Sequence, residues 1–527
     1  MRHMWMGVGV LCCASVGAYA GRAPGSGLYA IWYGKNRDVL LDLPFITGGQ
    51  AVTQWRTIEP RPEEYDFSSL DVQLRPLHER GYKGTVQING NQKPLFLFER
   101  VPWHPERFSV QIRDEGSLMF WHPAHVKAHQ GMIRALGAYL ARTPYRDAVL
   151  GVRLNFNAFG TEHCHLRGGE ARSAAVWTIP KGVASGTDWS KEAIAAYQAM
   201  VFREYLEHIV PHARVFVRNG LPEEVAAPYR NDFESGRLSW FHTSSEAEPR
   251  AHSEWRYRRF HEDCRSGKTT AYAEPWASAW GDHGGKTDDR ACSPPQWNYW
   301  RLLIDLHNGV SFVAIYGSDL EVARTGRYRY WKKDHSHDDT KAGTDYRGEF
   351  TRAFEFAARY AGHHASPAES PGAWCAFRGN DVIREANGVP AKRRKLSFYT
   401  GDYDFLMHRV PGDGSEGLQT TGPEEQRFGA WARRLPVGKS MGLQLDAQFA
   451  ESLAGKPAVV AVTYLDDATD ARATVSVAGQ AFDITREGTG RWCTAEFAVP
   501  ALSEGTIVLR ARDASITLHM VEVRRGQ

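Results

Sequence analysis

Two glutamates in the first two-thirds of the chain stand where short apolar runs end. Glu274 closes Thr269-Thr270-Ala271-Tyr272-Ala273 and is followed at once by Pro275 and Trp276. Glu162 comes after the run Gly151–Asn157, across the turn Ala158-Phe159-Gly160-Thr161. In extended chain, period-two alternation puts Arg153, Asn155 and Asn157 on one face of that run and Val152, Leu154 and Phe156 on the other. A polar stripe at a strand end costs desolvation unless it meets other polar groups or a ligand. Two facing carboxylic acids suit double-displacement cleavage of a glycosidic bond: one attacks the anomeric carbon and the other protonates the leaving oxygen. A retaining pair of this kind stands about 5–5.5 Å apart. A lone glutamate in a loop is more often solvated or a helix cap, so the pair draws its meaning from the elements that place it. Glu246 is the main rival, followed by Asp319 and Glu321.

Those elements alternate. Between Gly27 and Ala361, short β-branched or aromatic runs are separated by longer helical stretches, the pattern of repeated β-α units around a parallel sheet. Strands are predicted at Leu28–Tyr33, Ala51–Ile58, Tyr82–Asn89, Ala148–Asn157, Ala213–Arg218, Leu238–Thr243, Thr269–Ala273 and Val310–Tyr316. Helices are predicted at Leu70–Arg80 and, past Pro123, at Ala124–Ala141; those after strands five and six are faint. Eight strands predict an α/β fold of the (β/α)₈ TIM-barrel type, whose active groups sit at the C-terminal strand ends. Glu162 and Glu274 then follow strands four and seven. Trp55, Gln87, Asn89, Asn155, Asn157, His242, Trp276, Trp280 and Tyr316 fall near the same end as expected substrate contacts. Amides and imidazole there would hydrogen-bond sugar hydroxyls, and indoles would stack on sugar faces. For His242 a buried, satisfied ring is an equal alternative. Ala277–Gln296 is a long loop over the mouth.

His363–Gly372 (HHASPAESPG) reads as a linker. Beyond it, Val459–Tyr464, Ala473–Val477, Trp492–Phe497, Thr506–Arg510 and Ile516–Val523 are short alternating strands without intervening helices, which predicts a C-terminal antiparallel β-sandwich. Trp374, Trp431 and Trp492 are candidates for a stacking platform there, with core packing the favoured role for each. The expected organisation is a signal peptide at 1–20, a catalytic barrel at 21–362, the linker at 363–372 and the sandwich at 373–527.

At 527 residues, two or three domains are expected. A formal net charge of only +3 argues against nucleic acid as the partner. Seventeen tryptophans exceed what a core of this size needs, which favours a sugar surface for some of them. Met1-Arg2-His3, the apolar run to Val16 and Ala18-Tyr19-Ala20 read as an export signal, too short to span a bilayer. A secreted or periplasmic protein, free of the membrane after cleavage, is expected. Five cysteines then remain, and Cys264 and Cys292, flanking one predicted strand and its loop, are the first candidates for a disulfide. No CxxC or HExxH spacing occurs, and His335, His337, Asp338 and Asp339 read as a charged loop tip, so neither metal nor cofactor is expected.

Gln54-Trp55-Arg56-Thr57-Ile58-Glu59-Pro60, then Tyr65-Asp66-Phe67 and Leu70-Asp71, resembles the "W..lEP..G.ydf..LD" run of clan A glycoside hydrolases, with the family 42 β-galactosidases as the clearest example and related carrageenan-processing families beside them. The spacing through Gly81 into the third strand is similar, and the resemblance covers roughly residues 28–330. It implies an acid/base after strand four and a nucleophile at the end of strand seven, which are Glu162 and Glu274 here. Thr161 stands where the clan has Asn, and Glu63 or Glu64 where its run has Gly. Glu59 is expected to organise the turn after strand two. Arginines interleaved with aromatics in Trp255–Arg259 and Arg324–Lys333 are either solvated loops or binders of sulfate or carboxylate. In the second case the substrate is a sulfated, carrageenan-like galactan. Competing readings are a carbohydrate-binding protein on a degenerate barrel and a lyase acting on uronates with a Tyr, His or Lys base.

Overall fold

Eight short strands, β1 (Gly27–Ile31), β2 (Ile46–Gln54), β3 (Lys83–Asn89), β4 (Val149–Arg153), β5 (Arg214–Arg218), β6 (Leu238–Thr243), β7 (Ala271–Glu274) and β8 (Phe312–Tyr316), close on one another in chain order. Every neighbouring pair is parallel, including β1 with β8, where Gly27 pairs Phe312 and Ile31 pairs Tyr316. The computed structural model describes the chain apart from residues 1–21, 32–37, 91, 106–115, 155–171, 219–222, 244–259, 276–292, 328–329, 332–336, 339–343, 379–400, 420–421, 503–504 and 527.

Alternation along each strand separates two cores. Leu28, Ala30, Val86, Ile88, Val152, Leu154, Val215, Val217, Val313 and Ile315 point outward into the layer shared with the helices. Tyr29, Ile31, Phe216, Phe241, Tyr272, Phe312 and Ala314 point inward and fill the barrel as a separate cluster. With both faces buried, the strands read as nearly unbroken apolar runs. The main helices are α1 (Ser68–Glu79), α2 (Pro123–Arg142), α3 (Lys191–His208), α4 (Arg230–Glu234), α5 (Pro294–His307), α6 (Gly317–Thr325) and α7 (Arg347–Tyr360). Their ends are written locally. Pro123 opens α2, and Ser190 Oγ accepts from Ala193 N (3.0 Å) at the start of α3. Ser293 and Gln296 form a capping box on α5, and Gly326 ends α6 at φ 80°. Among the described residues, the faint helical signals after strands five and six correspond to short turns at Glu223–Ala226 and Ala227–Tyr229 followed by the five-residue α4, and to a π turn at Phe260–Cys264.

Strand two differs from its predicted span: pairing with β3 ends at Gln54, and Trp55–Ile58 is a helical turn. The reason is local, since Trp55 Nε1 donates to Glu59 Oε2 at 2.6 Å, four residues on. Glu59 Oε1 accepts from Glu63 N (3.2 Å), so the carboxylate organises this turn as expected. Glu63 itself has φ 63°, the left-handed conformation for which the resembling run keeps glycine.

Two antiparallel sheets follow. The first contains β9 (Gly372–Ala376), β10 (Tyr403–Phe405), β12 (Glu416–Gln419), β13 (Trp431–Leu435), β15 (Ala458–Leu465), β18 (Trp492–Val499) and β20 (Ile516–Arg525). The second orders β11 (Met407–Arg409), β14 (Ser440–Leu445), β19 (Thr506–Ala511), β16 (Thr469–Val477) and β17 (Gln480–Glu487). Their facing side chains share one apolar core. The first sheet also packs on the barrel: Trp374, Tyr403, Phe405, Trp431 and Met520 belong to the same core as the helices. Trp300 of α5 donates to Gly429 O at 2.8 Å and meets the Trp431 ring edge-on at 5.2 Å.

Trp374, Trp431 and Trp492 are 0%, 4% and 4% exposed, so they take the core-packing role that the sequence favours over a stacking platform. Residues 363–372 are packed: His363, His364 and Ser370 are buried in two 3₁₀ turns, and His364 Nε2 lies 2.9 Å from Leu306 O. Cys264 is a buried thiol with no disulfide among the described residues; Cys292, its expected partner, lies outside them. Among the described residues, no helix is long and apolar enough to cross a membrane.

Candidate active site

The alternation that puts Ala271 and Ala273 in the outer core turns Tyr272 and Glu274 inward, with Glu274 the last residue of β7. Across the barrel, Arg153 ends β4 on its inward face. The two side chains, 121 residues apart in sequence, meet with Arg153 Nη1 2.7 Å from Glu274 Oε2. The same nitrogen donates to Gln87 Oε1 (2.7 Å) on β3. Gln50 Nε2, from β2, reaches Gln87 Oε1 (3.1 Å), the Tyr272 hydroxyl (3.2 Å) and Glu274 Oε2 (3.3 Å). Gln87 Nε2 in turn donates to Asn89 Oδ1. Four strands thus supply one buried polar network at the C-terminal end of the barrel.

Its energetics follow from burial. Gln50, Gln87, Asn89, Arg153 and Glu274 are all buried, and removing one partner of such an ion pair typically costs about 3–5 kcal/mol. Burial lowers the Arg153 pKa from its ordinary value, against the opposing pull of Glu274. The guanidinium carbon also lies 4.0 Å from the centroid of Phe241, an aromatic face that compensates part of its lost hydration. Burial, reinforced by Glu274, pushes the Tyr272 hydroxyl well above the ordinary tyrosine range, so it serves as a neutral donor and acceptor. Both hydrogen bonds to Glu274 arrive at Oε2. Among the described residues, Oε1 is the oxygen left for a ligand.

The predicted residues divide into three groups. Gln87 and Asn89 are brought to Glu274 by this network, and Tyr316, ending β8, packs partly buried against the barrel-interior cluster. Trp55 and His242 are turned away. Trp55 packs on His125 and His129 of α2, with ring centroids at 5.4 and 5.2 Å. His242 follows the inward Phe241, so alternation points it outward, 1% exposed, with its ring edge-on to Phe260 at 5.9 Å. Glu162, Asn155, Asn157, Trp276 and Trp280 lie outside the described residues, as does the rival Glu246. Of the weaker rivals, Asp319 is fully buried in the first turn of α6 and Glu321 pairs with Arg324 at 2.7 Å.

Sequence reading missed Gln50, Tyr272 and Arg153 as members of the site. Arg153 carried a signal, since it stands on the same polar stripe as Asn155 and Asn157. Gln50 preceded the predicted start of strand two. Of the basic aromatic loops, Trp255–Arg259 and the side chains of 328–333 lie outside the described residues. Among the described residues, no group of three His, Cys, Asp or Glu could hold a metal ion.

No family model and no curated protein matches the chain. Among solved structures, a glycoside hydrolase family 30 subfamily 8 xylanase from Clostridium acetobutylicum is similar over 95% of this chain and 96% of its own, at 9% identity and a TM-score of 0.34. An exo-β-1,3-galactanase from Phanerochaete chrysosporium, solved with galactose, matches over 22% of this chain at 18% identity and a TM-score of 0.17; this chain spans 27% of its length. A CBM35 from Paenibacillus barcinonensis matches over 23% of this chain and 94% of its own, at 10% identity and a TM-score of 0.18. The barrel and the two sheets are established by the strand register itself.

Proposed function

We propose that this chain is an exported, retaining glycoside hydrolase acting on a galactose-containing oligo- or polysaccharide, with Glu274 as nucleophile and Glu162 as acid/base. The observation that supports this reading is the placement of Glu274: last residue of the seventh strand, inward, with Oε2 anchored by Arg153 and Gln50 and no described residue hydrogen-bonded to Oε1. A fixed carboxylate oxygen costs little reorganisation when it attacks. In the first step Oε1 bonds to the anomeric carbon while Glu162 gives its proton to the departing glycosidic oxygen. In the second, Glu162 takes a proton from water, which displaces the Glu274 ester. The Arg153 guanidinium stabilises the carboxylate that leaves in that step. Gln87, Asn89 and Tyr316 offer hydrogen bonds to ring hydroxyls. The N-terminal twenty residues direct export, and the basic aromatic loops favour a sulfated galactan.

The test compares purified wild type with Glu274→Gln and Glu162→Gln on aryl β-galactosides and on neutral and sulfated galactans. Losses of at least about a hundredfold in both variants support the two-glutamate mechanism. Activity that survives Glu274→Gln removes it as nucleophile. A wild type that binds glycans and cuts none would instead favour a binding protein on a degenerate barrel, the reading to which Thr161, in place of the clan's Asn, already points.

A further inference from the structure

Outside the ring of strands, at the same end of the barrel as Glu274, a pocket of about 320 Å³ lies between the turn after β2, the 3₁₀ turn Leu95–Glu99 after β3, and the first half of α2. That volume is within the range of small-molecule sites, which start at about 300 Å³. Its shape comes from α2. Ala124, Ala128 and Gly131 fall on one helical stripe and keep the wall low. At Gly131 a Cβ would stand 2.8 Å from the Tyr65 hydroxyl, so the glycine is what lets that hydroxyl sit against the helix.

The lining has the composition of a sugar site. Tyr65 and Phe96 supply aromatic faces. Glu59 is a buried acceptor whose carboxylate takes hydrogen bonds from Trp55, Glu63 and Tyr65, three of roughly four lone-pair sites. Burial raises its pKa from the ordinary carboxylate value, with those donors opposing. Lys127, exposed on α2, and Arg100, whose guanidinium lies 5.5 Å from the Phe96 centroid, stand at the rim. Among the described residues neither has a carboxylate partner. Arg134, by contrast, is held by Glu204 at 2.9 Å.

We propose that this pocket is a second glycan-binding site, which takes a hexopyranose bearing a sulfate ester or a carboxylate. The ring stacks on Phe96, a hydroxyl meets Glu59, and the anion lies between Lys127 and Arg100. The proposal rests on the polysaccharide reading of the barrel. It gives the enzyme a hold on its polymer that does not compete with the catalytic mouth.

The test uses full-length Glu274→Gln protein, to prevent turnover, in gels containing κ-carrageenan (sulfated), polygalacturonate (carboxylated) or agarose (neutral). Lys127→Glu and Phe96→Ala are added to that background, with melting temperature as the folding control. The expected result is retardation by one of the two anionic polymers that weakens at least about fivefold in each added variant, the scale of a single charge-assisted or stacking contact. Which polymer responds separates a sulfate from a carboxylate ligand. Retardation that survives both variants, or a parent that neither anionic polymer retards, overturns the site. Aryl β-galactoside hydrolysis by the wild type is measured in parallel. If Glu274→Gln abolishes it while retardation ignores Lys127, the pocket fails and the proposed function stands. If retardation depends on Lys127 and wild type cleaves nothing, the pocket stands and the hydrolase reading fails.

Discussion

Two guanidinium–carboxylate pairs, alike in distance, sit in different surroundings: the first is buried on both sides, and in the second the guanidinium is half-buried. Arg153 and Glu274 meet at 2.7 Å in the barrel mouth, and Arg265 and Asp404 at 2.6 Å in the seam between barrel and sandwich. In the seam the carboxylate is likewise held through one oxygen. Asp404 Oδ1 takes Arg265, with His307 Nδ1 at 2.8 Å, and the His307 ring stacks on Tyr403 at 5.3 Å. Burial works to raise the Asp404 pKa, but Arg265 and His307 override it and hold the carboxyl well below the ordinary range. In the mouth, both hydrogen bonds to Glu274 fall on one oxygen, and the neighbours are amides and a phenol. A buried ion pair therefore does not by itself mark a functional site. What separates the two is their surroundings: Glu274 ends a barrel strand among amides and a phenol, and Asp404 lies against a buried imidazole where the sheet packs on the barrel.

The seam pair is expected to act on stability and not on rate. Asp404→Asn takes the counter-charge from the half-buried Arg265 and a hydrogen-bonding partner from the buried His307, and a loss of about 1–3 kcal/mol in unfolding free energy is expected by denaturant titration. Aryl-glycoside turnover at a temperature where the variant is folded should stay near wild type; a matching fall in kcat would erase the contrast between the regions. Arg153→Met should act on rate as well as stability at the mouth. Here kcat/KM is expected to drop about thirtyfold or more, carried by kcat, with part recovered in Arg153→Lys. If the rate is unchanged, Arg153 is only a structural partner of Glu274.

Acidity sharpens the comparison further. His364 and His519, buried in the seam, are held neutral by burial, each with its pKa pulled down to about 3. In the unfolded chain they titrate near 6.5, so between those values the unfolded state binds more protons. Stability is thus complete above about pH 6.5 and falls as the pH drops toward 3, by about 1.4 kcal/mol per pH unit for each histidine. Melting curves of wild type and His519→Gln between pH 7 and 4 should show a shallower acid slope in the variant. Equal slopes would mean that His519 is charged in the fold. The smallest effect is expected at Glu63, whose left-handed backbone costs an L-residue about 1 kcal/mol. Glu63→Gly should leave stability unchanged or raise it by up to about 1 kcal/mol, the relief of strain being partly offset by unfolded-chain entropy. A clear loss would show that the Glu63 side chain supports the turn.

The barrel was legible because parallel strands covered on both faces must be apolar almost throughout, and Leu28–Ile31, Val215–Val217 and Phe312–Ile315 are. The sandwich was less so. Gln480–Glu487 carries four exposed charged or polar residues, Gln480, Asp483, Thr485 and Glu487, and Trp431–Leu435 contains Arg433 and Arg434, so neither reads as a strand alone. Their pairing with β16 and β20 supplies what local composition lacks.

By itself the sequence determined which residues end strands and which share a face: Glu274 at the close of its run, and Arg153 on the polar side of its own. Those follow from a period of two and from turn chemistry, both local. Only the tertiary structure decided that these two meet, that Gln50 and Gln87 join them, and that Trp55 and His242 turn outward. Closure of the sheet sets which strands face each other across the barrel and which side of each strand is inside, and no short window of sequence contains that information.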